Sequence, residues 1–257
     1  MSKTVLITGA SSGIGEAFAR AVARRGHVPI LVARRADRLA AIAAELAAAH
    51  GVEVPIIPLD LLAPDAAERL FAEVSARGLA VDWLVNNAGF GLYGPFATQE
   101  AARVHEMLQL NVLALTALCH RFAPGMRARR NGAIVNVASV AAFQPVPELA
   151  VYSASKAYVL SFSEALAEEL RPDGIYVQAL CPGTTRTEFF GVAGFPDDAR
   201  SHFMTPEAVV EASLAGLARG ASVVVPGTLN RLVTTLGRFV PRRLLVKLAA
   251  RAMRDSH

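Results

Sequence analysis

Short apolar, β-branched runs recur along the chain at 4–8, 28–33, 54–59, 81–86, 133–138, 176–180 and 222–225. Between them lie Ala/Leu-rich stretches of helical character near 14–25, 36–50, 64–77, 99–127, 152–171 and 206–219. The runs lack clean polar alternation, as strands buried on both faces should. Strands that alternate with helices of this length are joined by crossovers. The pattern therefore predicts an α/β fold: a doubly wound parallel sheet of about seven strands with helices on both faces. Hydrophobic residues make up 53% of the 257 and charged ones 19%, enough to fill such a core and too apolar for a disordered chain. No Pro/Ser-rich linker divides the sequence. One domain is expected over 1–227, with an aromatic-rich insertion at 188–204 and a tail at 228–257.

The first strand candidate runs into Gly9-Ala10-Ser11-Ser12-Gly13-Ile14-Gly15 and then a helix. Glycines in such a turn have separate uses: a tight bend, a close backbone approach to phosphate, and helix–strand packing. The helix N-terminus that follows offers N–H groups and a positive dipole end to a pyrophosphate. The same letters also spell G-x-S-x-G around Ser11, the nucleophile elbow of a hydrolase. No earlier loop supplies a second oxyanion donor, and histidines such as His202 have no evident acidic partner. The phosphate cradle is the preferred reading, above both the elbow and a ligand-free turn. After the second strand candidate stand Ala33-Arg34-Arg35. A carboxylate there would accept from a ribose 2′-hydroxyl, whereas a guanidinium pairs with a 2′-phosphate. NADP(H) is thus expected over NAD(H), with Arg34 and Arg35 as its readers.

Ser139 ends a strand candidate, and Tyr152-Ser153-Ala154-Ser155-Lys156 opens a helix. Tyr152 and Lys156 are four apart and share a helix face. A free phenol titrates near pH 10, and lowering that by about three units takes roughly 4 kcal/mol. A nearby ammonium and an oxidised nicotinamide can supply this in a dry cleft. Alone, such a pair is an ordinary feature of amphipathic helices.

Here it is accompanied. Thr8-Gly9-x-x-x-Gly13-Ile14-Gly15, Asn86-Asn87-Ala88-Gly89, Asn111, Ser139, Tyr152-x-x-x-Lys156 and Pro182-Gly183 occur in this order. Together they resemble the single-domain short-chain dehydrogenase/reductases, over about residues 3–227. The resemblance implies a Rossmann-type sheet and a catalytic set of Asn111, Ser139, Tyr152 and Lys156. Tyr152 would be the general acid or base, and Ser139 would orient the substrate carbonyl. Lys156 would bind the nicotinamide ribose and lower the pKa of Tyr152. Asn111 would sit at a helix bend and hold a relay water through Lys156. Gly9, Ser11, Ser12, Gly13, Ile14 and Gly15 would cradle the dinucleotide. Asp60 and Leu61 would meet the adenine edge, and Asn87 would support the sheet beside the adenosine. Pro182, Gly183, Thr185 and Thr187 would hold the carboxamide and phosphates. A homodimer or homotetramer is also implied.

The expected activity is reduction of a ketone or aldehyde by NADPH. The same site run backwards, as an NAD-linked secondary alcohol dehydrogenase, is one alternative. A dinucleotide-binding sensor or membrane-surface adaptor without turnover is another. Phe90-Gly91-Leu92-Tyr93, the segment 140–151 and Phe189, Phe190, Phe195, Phe203 and Met204 suggest a bulky apolar substrate under a lid. Few basic residues fall in these segments, so an acidic substrate is disfavoured.

Cys119 and Cys181 are too few for a disulfide framework, and the six histidines form no metal motif, so no metal is expected. No apolar run reaches the roughly 18 residues of a membrane helix. The first residues are too briefly apolar for a signal peptide, and a cytoplasmic protein is expected. In the tail, Arg231, Arg238, Arg242, Arg243, Lys247, Arg251 and Arg254 face Asp255 alone, whereas residues 1–227 carry 19 basic and 21 acidic groups. Nucleic acid is therefore an unsuited partner for the main domain. The tail reads as basic and amphipathic. Docking on its own domain or a sister subunit is preferred over a membrane surface.

Overall fold

A computed structural model describes residues 2–194 and 203–254. Strand β1 (Thr4–Thr8) leads into α1 (Gly13–Arg24), followed by β2 (Val28–Ala33), α2 (Ala36–His50), β3 (Ile56–Pro58) and α3 (Ala66–Ala76). The chain continues through β4 (Trp83–Asn86), α4 (Ala101–Leu108), α5 (Leu115–Arg129), β5 (Gly132–Val137) and α6 (Ala150–Leu170). It ends in β6 (Ile175–Leu180), α7 (Phe189–Ala193), α8 (Pro206–Ala218), β7 (Val223–Val224), α9 (Thr228–Gly237) and α10 (Arg242–Arg254).

The seven strands pair in the order β3-β2-β1-β4-β5-β6-β7, and every pairing is parallel. Successive side chains on a strand point to opposite faces. On β1, Leu6 enters a core shared with Leu70, Leu118 and Val159, whereas Val5 and Ile7 enter one shared with Phe18, Leu39 and Val209. Both faces are thus dry, which is why the strands read as continuous apolar runs. The chain leaves β1 toward β2 on one side and returns to β4 on the other. That switch in strand order opens a crevice at the carboxyl ends of β1 and β4, where ligands bind in such sheets.

The stretch expected as one helix over 99–127 is divided. A 3-10 turn at Phe96–Thr98 precedes α4, and a π-helical turn at Gln109–Ala114 separates α4 from α5. The extra residue in a π turn shifts the helix face without ending the helix, so the run of helix-forming residues continues through it. Two polar side chains at the sheet centre are joined to each other, although Asn86 Oδ1 is buried without a partner among the described residues. Asn86 and Asn136 face each other across β4 and β5, joined by a 2.9 Å bond from Asn86 Nδ2 to Asn136 Oδ1, and Asn136 Nδ2 donates to Ser163 Oγ. Cys119 and Cys181 are buried and unpaired, and burial pushes both thiols up to about 12. Among the described residues no helix is long and apolar enough to cross a membrane, and no cluster of His, Cys, Asp or Glu could hold a metal.

The packing of α1 on β1 depends on Gly15, where an added Cβ would lie 2.3 Å from the Gly9 carbonyl oxygen. Backbone must move to admit it, at a cost of about 1–3 kcal/mol. At 2–4 °C per kcal/mol for a chain of this size, Gly15→Ala should melt about 5 °C lower. An unchanged melting temperature by circular dichroism would show that this contact is slack.

Candidate active site

A cleft of about 600 Å³ runs along the carboxyl ends of β1, β2, β4, β5 and β6. Its floor at one end is the turn after β1. Gly9 and Gly13 have φ of 64° and 56°, a region costly for side chains. A Cβ on Gly9 would lie 2.8 Å from Asn87 Nδ2, and one on Gly13 2.9 Å from Thr187 Cγ2. Asn87 Nδ2 donates to the carbonyls of Thr8 and Gly9 at 2.9 and 3.2 Å. Thr8 Oγ1 accepts from the N–H groups of Asn87 and Ala88, both at 3.0 Å. The turn is therefore fastened to the end of β4. Ser12 begins α1 without a side-chain cap, so the first turn of the helix faces the cleft with donors available to an anion.

Ser11 does not have a nucleophile's surroundings. Its hydroxyl is buried and accepts from Arg35 Nε and Nη2 at 3.2 and 3.1 Å. An arginine cannot take its proton, which removes support from the hydrolase elbow. His202 lies outside the described residues.

At the adenosine end the lining comprises Ala33, Arg34, Arg35, Asp60 and Leu61. Arg34 is exposed on the rim. Arg35 reaches across the cleft to Glu188, with a 3.0 Å ion pair from Nη2 to Oε2. The Arg35 bond, and secondarily Ser12, holds the Glu188 carboxyl below its usual range. Asp60 accepts from Leu62 N at 3.0 Å, a local turn that also orients its carboxylate beside Leu61.

Of the residues expected to be catalytic, Ser139, Tyr152 and Lys156 converge at the other end. Ser139 follows β5 and caps a 3-10 turn, Val140–Phe143, by accepting from Ala141 N at 3.1 Å. Tyr152 and Lys156 lie in the first turns of α6, and both are buried. The Ser139 hydroxyl favours ionisation of the Tyr152 phenol, but desolvation outweighs it and pushes the phenol up to about 12. Lys156 Nζ donates to Val137 O at 2.7 Å, and burial brings its ammonium down to about 8. The ammonium is 5.8 Å from the Tyr152 ring centroid. The protein on its own thus keeps the phenol protonated. The downward shift expected from the sequence is not produced by Lys156 alone.

Asn111 lies in the π turn and is 1% exposed. Its Oδ1 accepts from Phe90 N at 3.1 Å, and its Nδ2 donates to Phe90 O at 2.9 Å and Ser155 Oγ at 3.2 Å. The bend is present, and the amide is spent on fixing the segment after β4. Gly89 is required there, because a Cβ would lie 2.8 Å from Asn111 Oδ1.

After β6, Pro182, Gly183, Thr185 and Thr187 all line the cleft. Thr185 Oγ1 donates to Gly183 O at 3.0 Å, and Thr187 Oγ1 accepts from Phe189 N at 3.3 Å. Phe189 then lies over Tyr152, with centroids 5.4 Å apart, and a Cβ on Gly91 would come within 2.8 Å of its ring. Phe190 packs edge-on between Phe189 and Phe203. Of the aromatic residues assigned to the lid, Phe195 lies outside the described residues. Phe90, Met107, Val146 and Leu149 complete an apolar wall around Tyr152.

Sequence reasoning missed three residues at the site. Glu188 carries no motif, and only its place at the start of the insertion marked it. Ser155 stands inside the Tyr152–Lys156 segment but was not assigned. Arg103 lies over the Phe90 ring at 4.6 Å and lines the cleft, paired with Glu106. Few basic residues were expected near the substrate end, and Arg103 is one that those segments did not reveal. Arg103 comes from α4, far in sequence from the segments that suggested the wall.

Comparison with known proteins agrees with this geometry. Residues 3–194 match the short chain dehydrogenase family. A short chain dehydrogenase of Pseudocercospora fijiensis is 38% identical over 202 residues, covering 77% of this chain and 63% of that protein. The serine 3-dehydrogenase of Agrobacterium fabrum is 39% identical over 191 residues, 74% of each chain. Among solved structures, a short-chain dehydrogenase from Sphingobium yanoikuyae in complex with NADPH superposes with a TM-score of 0.85 at 40% identity, covering 92% of this chain and 93% of that one. A bulky-bulky ketone specific alcohol dehydrogenase from Comamonas testosteroni superposes at 0.79 with 33% identity, covering 93% and 95%. With a matched fold, a glycine cradle and the Ser139, Tyr152 and Lys156 set in one cleft, the chain belongs to the short-chain dehydrogenase/reductase family of oxidoreductases.

Proposed function

We propose that the chain reduces a bulky, apolar ketone or aldehyde with NADPH, using Tyr152 as proton donor. The observation that carries this reading is the buried Ser139–Tyr152 pair at the floor of an apolar cleft, with the phenol held protonated. The turn suits a dinucleotide: side chains at Gly9 and Gly13 would collide with Asn87 and Thr187, so bare backbone lines the cleft there. Arg34 on the rim, with no carboxylate at the end of β2, supports a 2′-phosphate. The NADPH complex of the Sphingobium protein and the ketone class named for the Comamonas enzyme support the same choice.

A reduced nicotinamide held by the glycine turn and the Pro182–Thr187 segment would supply hydride. The chain supplies everything at the carbonyl oxygen. Ser139 and Tyr152 donate to it from one side, and such placed donors are usually the largest catalytic contribution. Tyr152 releases its proton as the oxygen gains charge. Lys156 remains the nearest cation to the phenolate that results, and its ammonium is available below about pH 8. Asn111 fixes the Phe90 segment, and holding a relay water through Lys156 remains its proposed role. Phe189 covers the pair and excludes bulk water. Free buried cysteines support a cytoplasmic setting. Leu108, Leu113 and Tyr158, exposed along α4–α6, support a homo-oligomer.

Tyr152→Phe keeps the ring and removes the proton. Turnover should fall by about 10²–10⁴-fold with NADPH binding nearly unchanged, as steady-state rates and cofactor fluorescence would show. Near-normal turnover would sink the assignment. Arg34→Ala should weaken NADPH by roughly 10- to 100-fold, the worth of one charge-assisted hydrogen bond, and leave NADH almost unaffected. Adding Ala33→Asp should turn the preference to NADH. Equal losses for both cofactors would instead make Arg34 a support of the loop.

A further inference from the structure

A surface helix ordinarily turns its apolar stripe to the core. Helix α9 does the reverse. Thr234 is buried, and Asn230 is half-buried against Gly183, where an added Cβ would lie 2.4 Å from Asn230 Nδ2. Asn230 Nδ2 also donates to Pro226 O at 2.9 Å, which ties the helix to the end of the sheet domain. Leu229, Leu232, Val233 and Leu236, at i, i+3, i+4 and i+7, point outward and are 54–68% exposed. Phe239, in the turn that follows, is 83% exposed, and Leu244 and Leu248 extend the exposed apolar surface onto α10. The stripe, expected to dock on its own domain or a sister subunit, is not covered by its own domain.

Exposed basic side chains accompany it: Arg231, Arg238, Arg242, Arg243, Lys247 and Arg251. The ion pairs found among the described residues all join positions before 212, so none neutralises this face. An apolar stripe bordered by unneutralised cations restricts the occupant. A second copy joined about a two-fold axis would set the same basic face against itself. The other 227 residues, with 19 basic and 21 acidic groups, offer little opposing charge. An anionic lipid surface satisfies both components, phosphate headgroups for the cations and the acyl boundary for Leu, Val and Phe. Neither helix crosses a membrane, so the contact is peripheral.

We propose that α9 and α10 form a face that docks the protein on an anionic membrane surface. The test is sedimentation of the full chain with vesicles of phosphatidylcholine alone or mixed with phosphatidylglycerol. The chain should pellet with the anionic vesicles at about 50 mM salt, stay in solution with the neutral ones, and bind at least about tenfold less at 0.5 M salt. Leu232→Asp with Leu236→Asp, and separately Arg242→Glu with Arg243→Glu, should each abolish pelleting. Both pairs lie on the surface and should leave the melting temperature unchanged. Failure of the unmodified chain to pellet, or equal pelleting with neutral vesicles, would overturn the proposal. A fall in molar mass by light scattering in the Leu232→Asp/Leu236→Asp variant, without vesicle binding by the parent, would assign the face to a second copy instead.

Discussion

Lys156 is 5% exposed, yet its place in the cleft requires it to carry charge. Burying an unpaired ammonium costs several kcal/mol even after relaxation. The protein offsets this with one main-chain acceptor, Val137 O at the end of β5, and no carboxylate answers the charge directly. The result is a cation that ionises near 8 and a phenol that ionises near 12, side by side in a dry space. A carboxylate partner would have fixed the lysine and cancelled its field. A backbone carbonyl fixes it and leaves the field available to the phenolate. The position of β5, the start of α6 and the π turn that sets Asn111 beside Ser155 all serve this placement.

The dinucleotide end is built on the same economy of charge. No carboxylate meets the glycine turn from β2, and Arg34 and Arg35 stand where one would be. Glu188 is the exception. It reaches Arg35 from the start of α7 and links the lid segment to the turn after β1. Both partners are partly exposed, so solvent screening keeps the bond weak. It spans the cleft in which the pyrophosphate is proposed to lie.

Much of this was legible in the sequence. The alternation of apolar runs with Ala/Leu-rich helices gave the parallel sheet because both faces are buried. The structure brings the glycine turn, Asn87, Ser139, Tyr152 and Lys156 to one cleft, the positions that the family resemblance pointed to. What was hidden has physical reasons. The π turn does not interrupt the run of helix-forming residues, so 99–127 read as one helix. The Arg35–Glu188 and Arg103–Phe90 contacts join residues from separate elements, and no local pattern encodes them. The spacing of Leu229, Leu232, Val233 and Leu236 shows that α9 has an apolar face. It says nothing of the direction in which that face points. The phenol's upward shift was missed because spacing conveys an ammonium's neighbourhood and not its desolvation.

The central claim is that the protein alone keeps Tyr152 protonated and that only a cationic ring beside it lowers the phenol. Four tyrosines make this directly observable. With ¹³Cζ-tyrosine, an NMR titration should show the Tyr152 signal unmoved past pH 10.5 in the nucleotide-free enzyme, in keeping with a value of about 12. Adding NADP⁺ should bring its transition down by two units or more, about 3 kcal/mol at 1.36 per unit. Ionisation of Tyr152 at or below pH 10 without nucleotide, or no shift when NADP⁺ is bound, would contradict the account.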